Sequence, residues 1–192
     1  MQAVEEFGKT IQLSPRDSNA HFNLAAALAQ VGKIDESIAE YQKATAIRPD
    51  YLLAHLYLGL ALVQKRRYTD AIPEFEKVIS LQPDSVDGYL KLSGALYSAR
   101  SYTKCIEISR PALVVKPDSA AAHSDLGSCM LRKNRYREAI AEYKKAVQIM
   151  PGDPAYHYNL PLTLRPFPAM AKESRAEFEA ARELSSKTSA SN

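Results

Sequence analysis

The sequence has few cysteines, no long apolar run and no excess of charge of one sign, and these absences exclude several classes of protein. Its only cysteines, Cys105 and Cys129, lack the spacing of a metal or redox motif, and we expect them to be free and buried. No stretch approaches the roughly 18 apolar residues of a membrane span. The 25 basic and 22 acidic residues leave a net charge of +3, which is too balanced for the basic face of a nucleic-acid-binding protein. We therefore predict a soluble chain that neither binds nucleic acid nor inserts into a membrane.

Sequence motifs of enzymes are absent as well. The chain has no glycine motif for dinucleotides or phosphates, no paired-histidine metalloprotease motif and no nucleophile elbow. Acids and bases are plentiful, but no pattern draws a pair of them into one pocket. The sequence therefore predicts a protein that is not an enzyme and needs no cofactor.

What the sequence does contain is a repeat with a period of 34 residues. Shifting the chain by one period superimposes a series of bulky residues, a series of leucines and a series of prolines, and such a period is typical of a repeat protein. One helix pair cannot bury its apolar face, whereas stacked pairs bury a continuous core. The three series are His21, His55, Tyr89, His123, His157; Leu24, Leu58, Leu92, Leu126, Leu160; and Pro15, Pro49, Pro83, Pro117, Pro151.

Each repeat reads as a helix, a turn and a second helix. In the first complete unit, Phe22 and Leu28 belong to the apolar stripe of the first helix, Gly32 ends it, and Tyr41 belongs to the stripe of the second helix, which Pro49 closes. The predicted organisation is a second helix of a truncated repeat at 1–17, four complete repeats at 18–51, 52–85, 86–119 and 120–153, a degenerate C-terminal repeat at 154–186, and a disordered tail at 187–192.

Two of these units depart from the pattern. Pro111 falls inside the second helix of 86–119, and Ser109 stands where other repeats have an aromatic residue, so we expect that helix to be kinked and loosely packed. Pro161, followed by Pro166 and Pro168, predicts a short, kinked or unwound first helix in the last repeat. Its second helix resumes one residue late, with Phe178, Ala181 and Leu184 in the apolar positions.

The best copies of the repeat resemble the tetratricopeptide repeat. The residues that carry the resemblance are His55, Leu58, Gly59, Leu62, Ala71, Phe75, Val78, Pro83 in one copy and His123, Leu126, Gly127, Met130, Ala139, Tyr143, Ala146, Pro151 in another. The resemblance covers nearly the whole chain. It implies an all-α fold, a right-handed α-solenoid of stacked antiparallel helix pairs whose first helices line a concave groove.

Histidines and basic clusters also admit simpler interpretations. The four histidines occupy one position of separate repeats, about 10 Å apart, whereas zinc ligands lie about 2 Å from one point; we predict no metal site. The basic clusters at 65–67 and 132–135, with Lys33 and Arg100, would form a positive edge. An acidic partner is one interpretation of this edge. Cations that complement the C-terminal dipole of the first helix are the other.

The groove positions of the first helices are the candidate binding site. Several of them are apolar or aromatic on a face that packing alone need not fill, and such patches often mark interaction sites. The candidate residues are Phe22, Asn23, Leu53, Leu56, Tyr57, Leu60, Leu90, Lys91, Tyr97, Asp125 and Arg132. The resemblance does not extend to the two-carboxylate clamp of chaperone-binding members of the family. In the first complete repeat, the Lys and Asn positions of the clamp hold Phe22 and Ala26, although Asn23 matches a clamp-type asparagine. The predicted function is a scaffold or adaptor that binds a peptide or helix of a partner protein.

Two further hypotheses stay open at this point. The chain begins halfway through a repeat, which favours a fragment, so it could be a regulatory or targeting segment of a larger enzyme whose catalytic domain lies elsewhere. The unpaired N-terminal helix, with Ala3, Phe7 and Ile11, could also expose an apolar end for self-association. The compartment is undetermined, with the cytoplasm as the default.

Overall fold

The computed structural model describes residues 2–164 and 168–190, and all regular structure in this part of the chain is helical. The helices repeat with the 34-residue period: five first helices begin at Ser18, Leu52, Val86, Ala120 and Pro154. The helices are α1 (Gln2–Leu13), α2 (Ser18–Gln30), α3 (Ile34–Ile47), α4 (Leu52–Gln64), α5 (Tyr68–Leu81), α6 (Val86–Ser98), α7 (Tyr102–Val115), α8 (Ala120–Arg132), α9 (Tyr136–Ile149), α10 (Pro154–Leu164) and α11 (Ala171–Ala190), with a 3-10 turn at Pro168–Met170.

Local chemistry explains where these helices begin and end. The Asp17 carboxylate accepts hydrogen bonds from the backbone N–H groups of Asn19 and Ala20, and therefore caps α2. The Ser119 hydroxyl caps α8 in the same way. In the turns of the first four helix pairs, from α2–α3 to α8–α9, one residue has a positive φ: Gly32 at 81°, Arg66 at 57°, Arg100 at 59° and Asn134 at 59°. The same turn conformation thus recurs with the period in these four turns, although the residue with positive φ is a glycine in only one of them.

The chain forms two compact units, Met1–Ala95 and Leu96–Asn192, called unit 1 and unit 2 below. In unit 1 each helix from α1 to α5 packs against the next along the chain. The core of this unit includes the fully buried rings of Tyr41 and Phe75. A Cβ atom at Gly59 would lie 2.5 Å from Cε1 of Phe75, so this close approach of α4 and α5 requires glycine.

In unit 2 the helices α7 to α11 likewise pack each on the next. Tyr143, Leu160 and Leu164 are among its most deeply buried side chains. Cys105 of α7 and Cys129 of α8 are joined by a disulfide, with a Cα–Cα distance of 6.0 Å. The prediction of free cysteines is therefore wrong. Their positions in neighbouring helices of adjacent repeats bring the two sulfur atoms together, which spacing along the chain does not reveal.

The second helix of 86–119 is not loosely packed, contrary to the prediction. Helix α7 runs without interruption from Tyr102 to Val115, with Pro111 inside it. Its packing is not loose, because Cys105, Ile106, Ser109 and Ala112 are all buried. Because Pro111 has no N–H, the carbonyl oxygen of residue 107 lacks its usual partner in the helix. Residue 107 is exposed, so water can donate to that oxygen instead.

The C-terminal repeat keeps more helix than its prolines suggested. Helix α10 is continuous to Leu164 with Pro161 inside it, whereas Pro166 lies outside the described residues. Helix α11 begins at Ala171, one residue later than the period requires, as predicted. Phe178 nevertheless does not fill a core position, because it is 54% exposed, while Ala181 is fully buried.

The predicted disorder of 187–192 is wrong for residues 187–190, which continue α11 as far as Ala190. Lys187 pairs with Glu183 one turn earlier at 2.7 Å, and such a pair supports the end of a helix. Residues 191 and 192 lie outside the described part of the chain.

Candidate protein-binding surfaces

One face of α4, a first helix of unit 1, forms an apolar surface. Leu53, Leu56, Tyr57 and Leu60 share one face of α4; Leu53 and Tyr57 are each 46% exposed, and the other two are half-buried. Their spacing of three and four residues places them on one side of the helix. This face is the apolar surface that the sequence predicted.

Rings from α2, α3 and the following turn join Tyr57 in a cluster. The Phe22 centroid lies 5.6 Å from that of Tyr41, 5.1 Å from that of Tyr51 and 5.8 Å from that of Tyr57. Tyr41 and Tyr57 stack at 6.2 Å. Burial, and secondarily the neighbouring Tyr57, raises the pKa of Tyr41 to about 12. The buried Tyr41 ring is thus uncharged at neutral pH, and the two more exposed rings, Phe22 and Tyr57, pack against it.

Arg48 is a member of this surface that the sequence did not reveal. Its guanidinium carbon lies 3.4 Å from the Tyr51 centroid, and its NH2 group donates to Asn19 Oδ1 at 2.8 Å. Its Nε is buried and has no acceptor among the described residues. Arg48 and Tyr51 were missed because they lie in the turn between repeats, whereas the prediction considered only first-helix positions.

The remaining unit 1 candidates lie elsewhere on the first helices. Asn23 is exposed on α2 beside Phe22, and Leu90 and Lys91 are half-buried on α6. Lys91 pairs with Asp87 at 3.1 Å, one turn earlier on its own helix. The ring contacts of the aromatic cluster include none of these three residues.

Unit 2 contains a separate open pocket of about 560 Å³. Two predicted residues, Tyr97 and Arg132, line it, whereas Asp125 does not. The full lining is Tyr97, Tyr102, Ser128, Leu131, Arg132, Asn134, Tyr136, Tyr143 and Asn159. Asp125 lies close to the pocket. Burial is the main cause that raises the pKa of Tyr143 and of Tyr156, and the negative charge of Asp125 is a smaller cause in both.

The pocket side chains are ordered by contacts among themselves. Arg132 Nε donates to the Tyr102 hydroxyl at 3.2 Å, and the guanidinium carbon lies 5.3 Å from the ring centroid of that residue. The Tyr97 and Tyr102 rings meet edge to face at 5.6 Å. Tyr143 donates to Ser128 Oγ at 3.0 Å, and burial raises the pKa of Tyr143 to about 12 despite this bond. The pocket therefore combines several tyrosine rings with the cation of Arg132.

The sequence prediction missed Tyr102 and Tyr136, which begin the second helices α7 and α9. A signal for them existed in the repeat, because Tyr68, Tyr102 and Tyr136 are separated by one period each. They were overlooked because the groove was assigned to first helices alone.

The four histidines are held by hydrogen bonds between the two helices of each pair. His123 Nδ1 lies 2.6 Å from a carboxylate oxygen of Glu142, and its Nε2 lies 2.9 Å from the carbonyl oxygen of Pro117. The other pairs of this kind are His21 with Glu40, His55 with Glu74 and His157 with Glu177. Within the described ranges, no group of three or more His, Cys, Asp or Glu side chains could hold a metal ion.

Comparisons with known proteins agree with this architecture. A family model described as TPR repeat matches residues 27–66 and 131–164. A second model, described as anaphase-promoting complex, cyclosome, subunit 3, matches residues 64–146. No curated protein matches the chain.

Three solved structures illustrate the similarity of fold, two of MamA and one of YrrB. A crystal structure of MamA protein is 22% identical over 90% of this chain and 93% of its own, with a TM-score of 0.78. A MamA fragment from Desulfovibrio magneticus RS-1 is 19% identical over 88% of this chain and 96% of its own, with a TM-score of 0.79. YrrB, described as a TPR protein with an unusual peptide-binding site, is 21% identical over 95% of this chain and 93% of its own, with a TM-score of 0.73.

The chain is built of tetratricopeptide-type repeats, which the family models match between residues 27 and 164, and it has the all-α solenoid fold of such repeats. This is the class of protein that the period, the helix pairs and the buried small residues define. Across the residues that the structure describes, no helix is both long and apolar enough to cross a bilayer.

Proposed function

We propose that the chain is a protein–protein interaction scaffold whose unit 1 surface, centred on Phe22 and Tyr57, binds an extended or helical segment of another protein. The observation that carries the proposal is the exposure of Tyr57 and Leu53 on a helix face whose remaining apolar residues are half-buried. Aromatic residues anchor interfaces because they bury a large area at a small cost in conformational entropy. The peptide-binding site in the description of YrrB supports the same interpretation by analogy of fold.

The arrangement favours recognition of a segment rather than of a small molecule. The rings of Phe22, Tyr51 and Tyr57 lie on an open surface, and Arg48 and Asn19 lie at its edge as polar groups that can fix the register of a ligand. A peptide that lies along such a face is anchored by a few apolar side chains and oriented by polar contacts. Leu90, Lys91 and Asn23 are proposed as secondary contacts.

The test is a selection of peptides from a displayed random library on the whole chain. Selected peptides are measured against the wild type, the double variant Tyr57→Ala, Leu60→Lys, and the control Tyr158→Ala. Tyr158 is 47% exposed, close to the 46% of Tyr57, but it lies on α10. We expect the double variant to weaken binding at least about tenfold, because it removes an anchor ring and places a charge in the apolar face.

The control variant should bind as the wild type does, and circular dichroism should show that both variants remain folded. Unchanged affinity of the double variant would contradict the proposal.

A further inference from the structure

Arg132 places a positive charge with unused hydrogen-bond donors at the pocket of unit 2. A guanidinium group has five N–H donors. The Nε donor is used by Tyr102, and no other hydrogen bond or ion pair of Arg132 occurs among the described residues. The exposed arginine therefore keeps four donors for an incoming group. By contrast, the nearby Arg135 is already paired, with its Nε 2.7 Å from Glu138 Oε1.

The repeat itself does not require these side chains. The residues one, two and three periods before Arg132 are Ser98, Gln64 and Gln30, none of which is charged. The residues that correspond to Tyr97 in the other complete repeats are not aromatic; they are Ala29, Val63 and Leu131. A feature that the other repeats fold without is a candidate for ligand recognition.

The position of Arg132 near the end of α8 admits the simpler explanation that it complements the helix dipole. Any cation in the last turn would serve that purpose, and Lys133 lies at the cap position of the same helix. The contact with the Tyr102 hydroxyl and the lining of the pocket are additional, because they direct the guanidinium towards a concave surface. The dipole therefore does not account for the placement of this side chain.

The chemistry of the pocket specifies the group that fits it. A carboxylate can accept two parallel hydrogen bonds from a guanidinium. An apolar side chain next to that carboxylate can pack on Tyr97, which is 37% exposed, and on the adjoining ring of Tyr102. Asp125 lies on the same helix, two turns before Arg132, so a second acid placed towards it would be repelled. The pocket is thus suited to one carboxylate rather than to an acidic run.

We propose that the pocket bounded by Tyr97, Tyr102 and Arg132 binds one Asp or Glu side chain of a partner segment, together with an apolar residue beside it. This inference rests on the proposed function, because it assigns the chemistry of a protein ligand, and it adds an acid-specific site in unit 2. Charge complementarity and the neighbouring aromatic rings select this occupant.

The experiment uses the whole chain and a displayed random peptide library. Selection on the wild type should enrich peptides with an Asp or Glu beside an aromatic or aliphatic residue. Each selected peptide is then synthesised with the acid and with the matching amide, and both forms are titrated against the wild type, Arg132→Gln and Arg137→Gln. Gln stands at the equivalent positions 30 and 64, so Arg132→Gln suits the fold. Arg137 is an exposed arginine that does not line the pocket, and it serves as the charge-matched control.

We expect the change from acid to amide to weaken binding about tenfold on the wild type and on Arg137→Gln, but less than about twofold on Arg132→Gln. Equal losses on all three proteins would overturn the inference, as would selection of peptides without a common acid. Peptides that lack an acid but lose affinity with Tyr57→Ala, Leu60→Lys would leave the proposed function standing while this inference fails. A selection that retains no peptide would overturn both.

Discussion

At the scale of single residues, the buried histidines show how polar groups join the two helices of a repeat. Both ring nitrogens of His123 face acceptors, the carboxylate of Glu142 and the carbonyl of Pro117. Because a carbonyl oxygen can only accept, Nε2 donates to Pro117, and Nδ1 is hydrogen-bonded to the carboxylate on the paired helix. Position 89 carries tyrosine instead of histidine, and position 108, where the matching acid would stand, carries isoleucine. The acid is thus absent where the histidine is absent.

The first prediction concerns Glu142. We expect Glu142→Ala to lower the free energy of unfolding by about 1–3 kcal/mol, because it leaves a buried ring nitrogen of His123 without a partner. Chemical denaturation followed by circular dichroism measures the change. Glu138→Ala is the control, since Glu138 pairs with Arg135 in an exposed position, where solvent screening leaves such a pair little effect on stability.

A second control replaces the pair with the residues of the third repeat, Tyr89 and Ile108. The double variant His123→Tyr, Glu142→Ile should be more stable than Glu142→Ala, because it removes the imidazole together with its carboxylate partner and uses a pair of residues that another repeat of this chain folds with. An equal loss for Glu138→Ala and Glu142→Ala would show that burial of the pair has no special role.

The candidate site was only partly predictable at this scale. Tyr97, Arg132, Phe22 and Tyr57 followed from their helix positions. Arg48 and Tyr102 did not, because their roles come from contacts with residues on other elements. A helical period identifies which face a residue occupies, but it does not identify the side chain opposite.

At the scale of elements, the turns and the cross-link between helices determine how repeats are joined. The turn residue with positive φ recurs at Gly32, Arg66, Arg100 and Asn134. Since three of these are not glycine, the backbone of the helix pair maintains a conformation that their side chains disfavour. The packing of the paired helices outweighs this local cost.

The disulfide between α7 and α8 gives the second prediction. Its cysteines are 24 residues apart, and closing a loop of this size stabilises a fold by about 3 kcal/mol in the chain-entropy view. We expect a thiol reductant to lower the urea midpoint of the wild type. Because both cysteines are buried, the reductant must be present during unfolding and refolding.

The matched control is Cys105→Ala with Cys129→Ala, whose urea midpoint should not respond to the reductant. Mass measurement after alkylation reports the state of the thiols independently. If the wild type is alkylated at both cysteines under denaturing, non-reducing conditions, the cross-link is absent in solution.

At the scale of the whole molecule, stability is distributed unevenly along the chain. Contacts in both units join mainly helices that follow one another in sequence, as in other repeat arrays. In the described part of the chain, helix α1 has no buried residue, and it packs against α2. By comparison, α4 buries six residues, among them Leu58 and Leu62.

The third prediction follows from this difference. Amide hydrogen exchange should be fastest in α1 and much slower in α4 and α8, because local opening costs least where little apolar surface is buried. Mass spectrometry of the exchanging chain, digested into peptides, measures it. Protection of α1 equal to that of α4 in dilute protein would contradict this expectation.

The same measurement tests self-association through α1. If two copies pair through this helix, its protection rises with protein concentration while that of α4 does not change. A concentration-independent exchange of α1 would remove that hypothesis.

The sequence by itself determined the helices, their period and the family. These depend on local signals, namely apolar spacing, prolines at helix ends and small residues at close approaches, and each signal is repeated along the chain. Only the tertiary structure decided which side chains meet across elements: Arg48 with Tyr51, Arg132 with Tyr102, and Cys105 with Cys129. Such contacts depend on the register and crossing of packed helices, which the period of one chain segment does not contain.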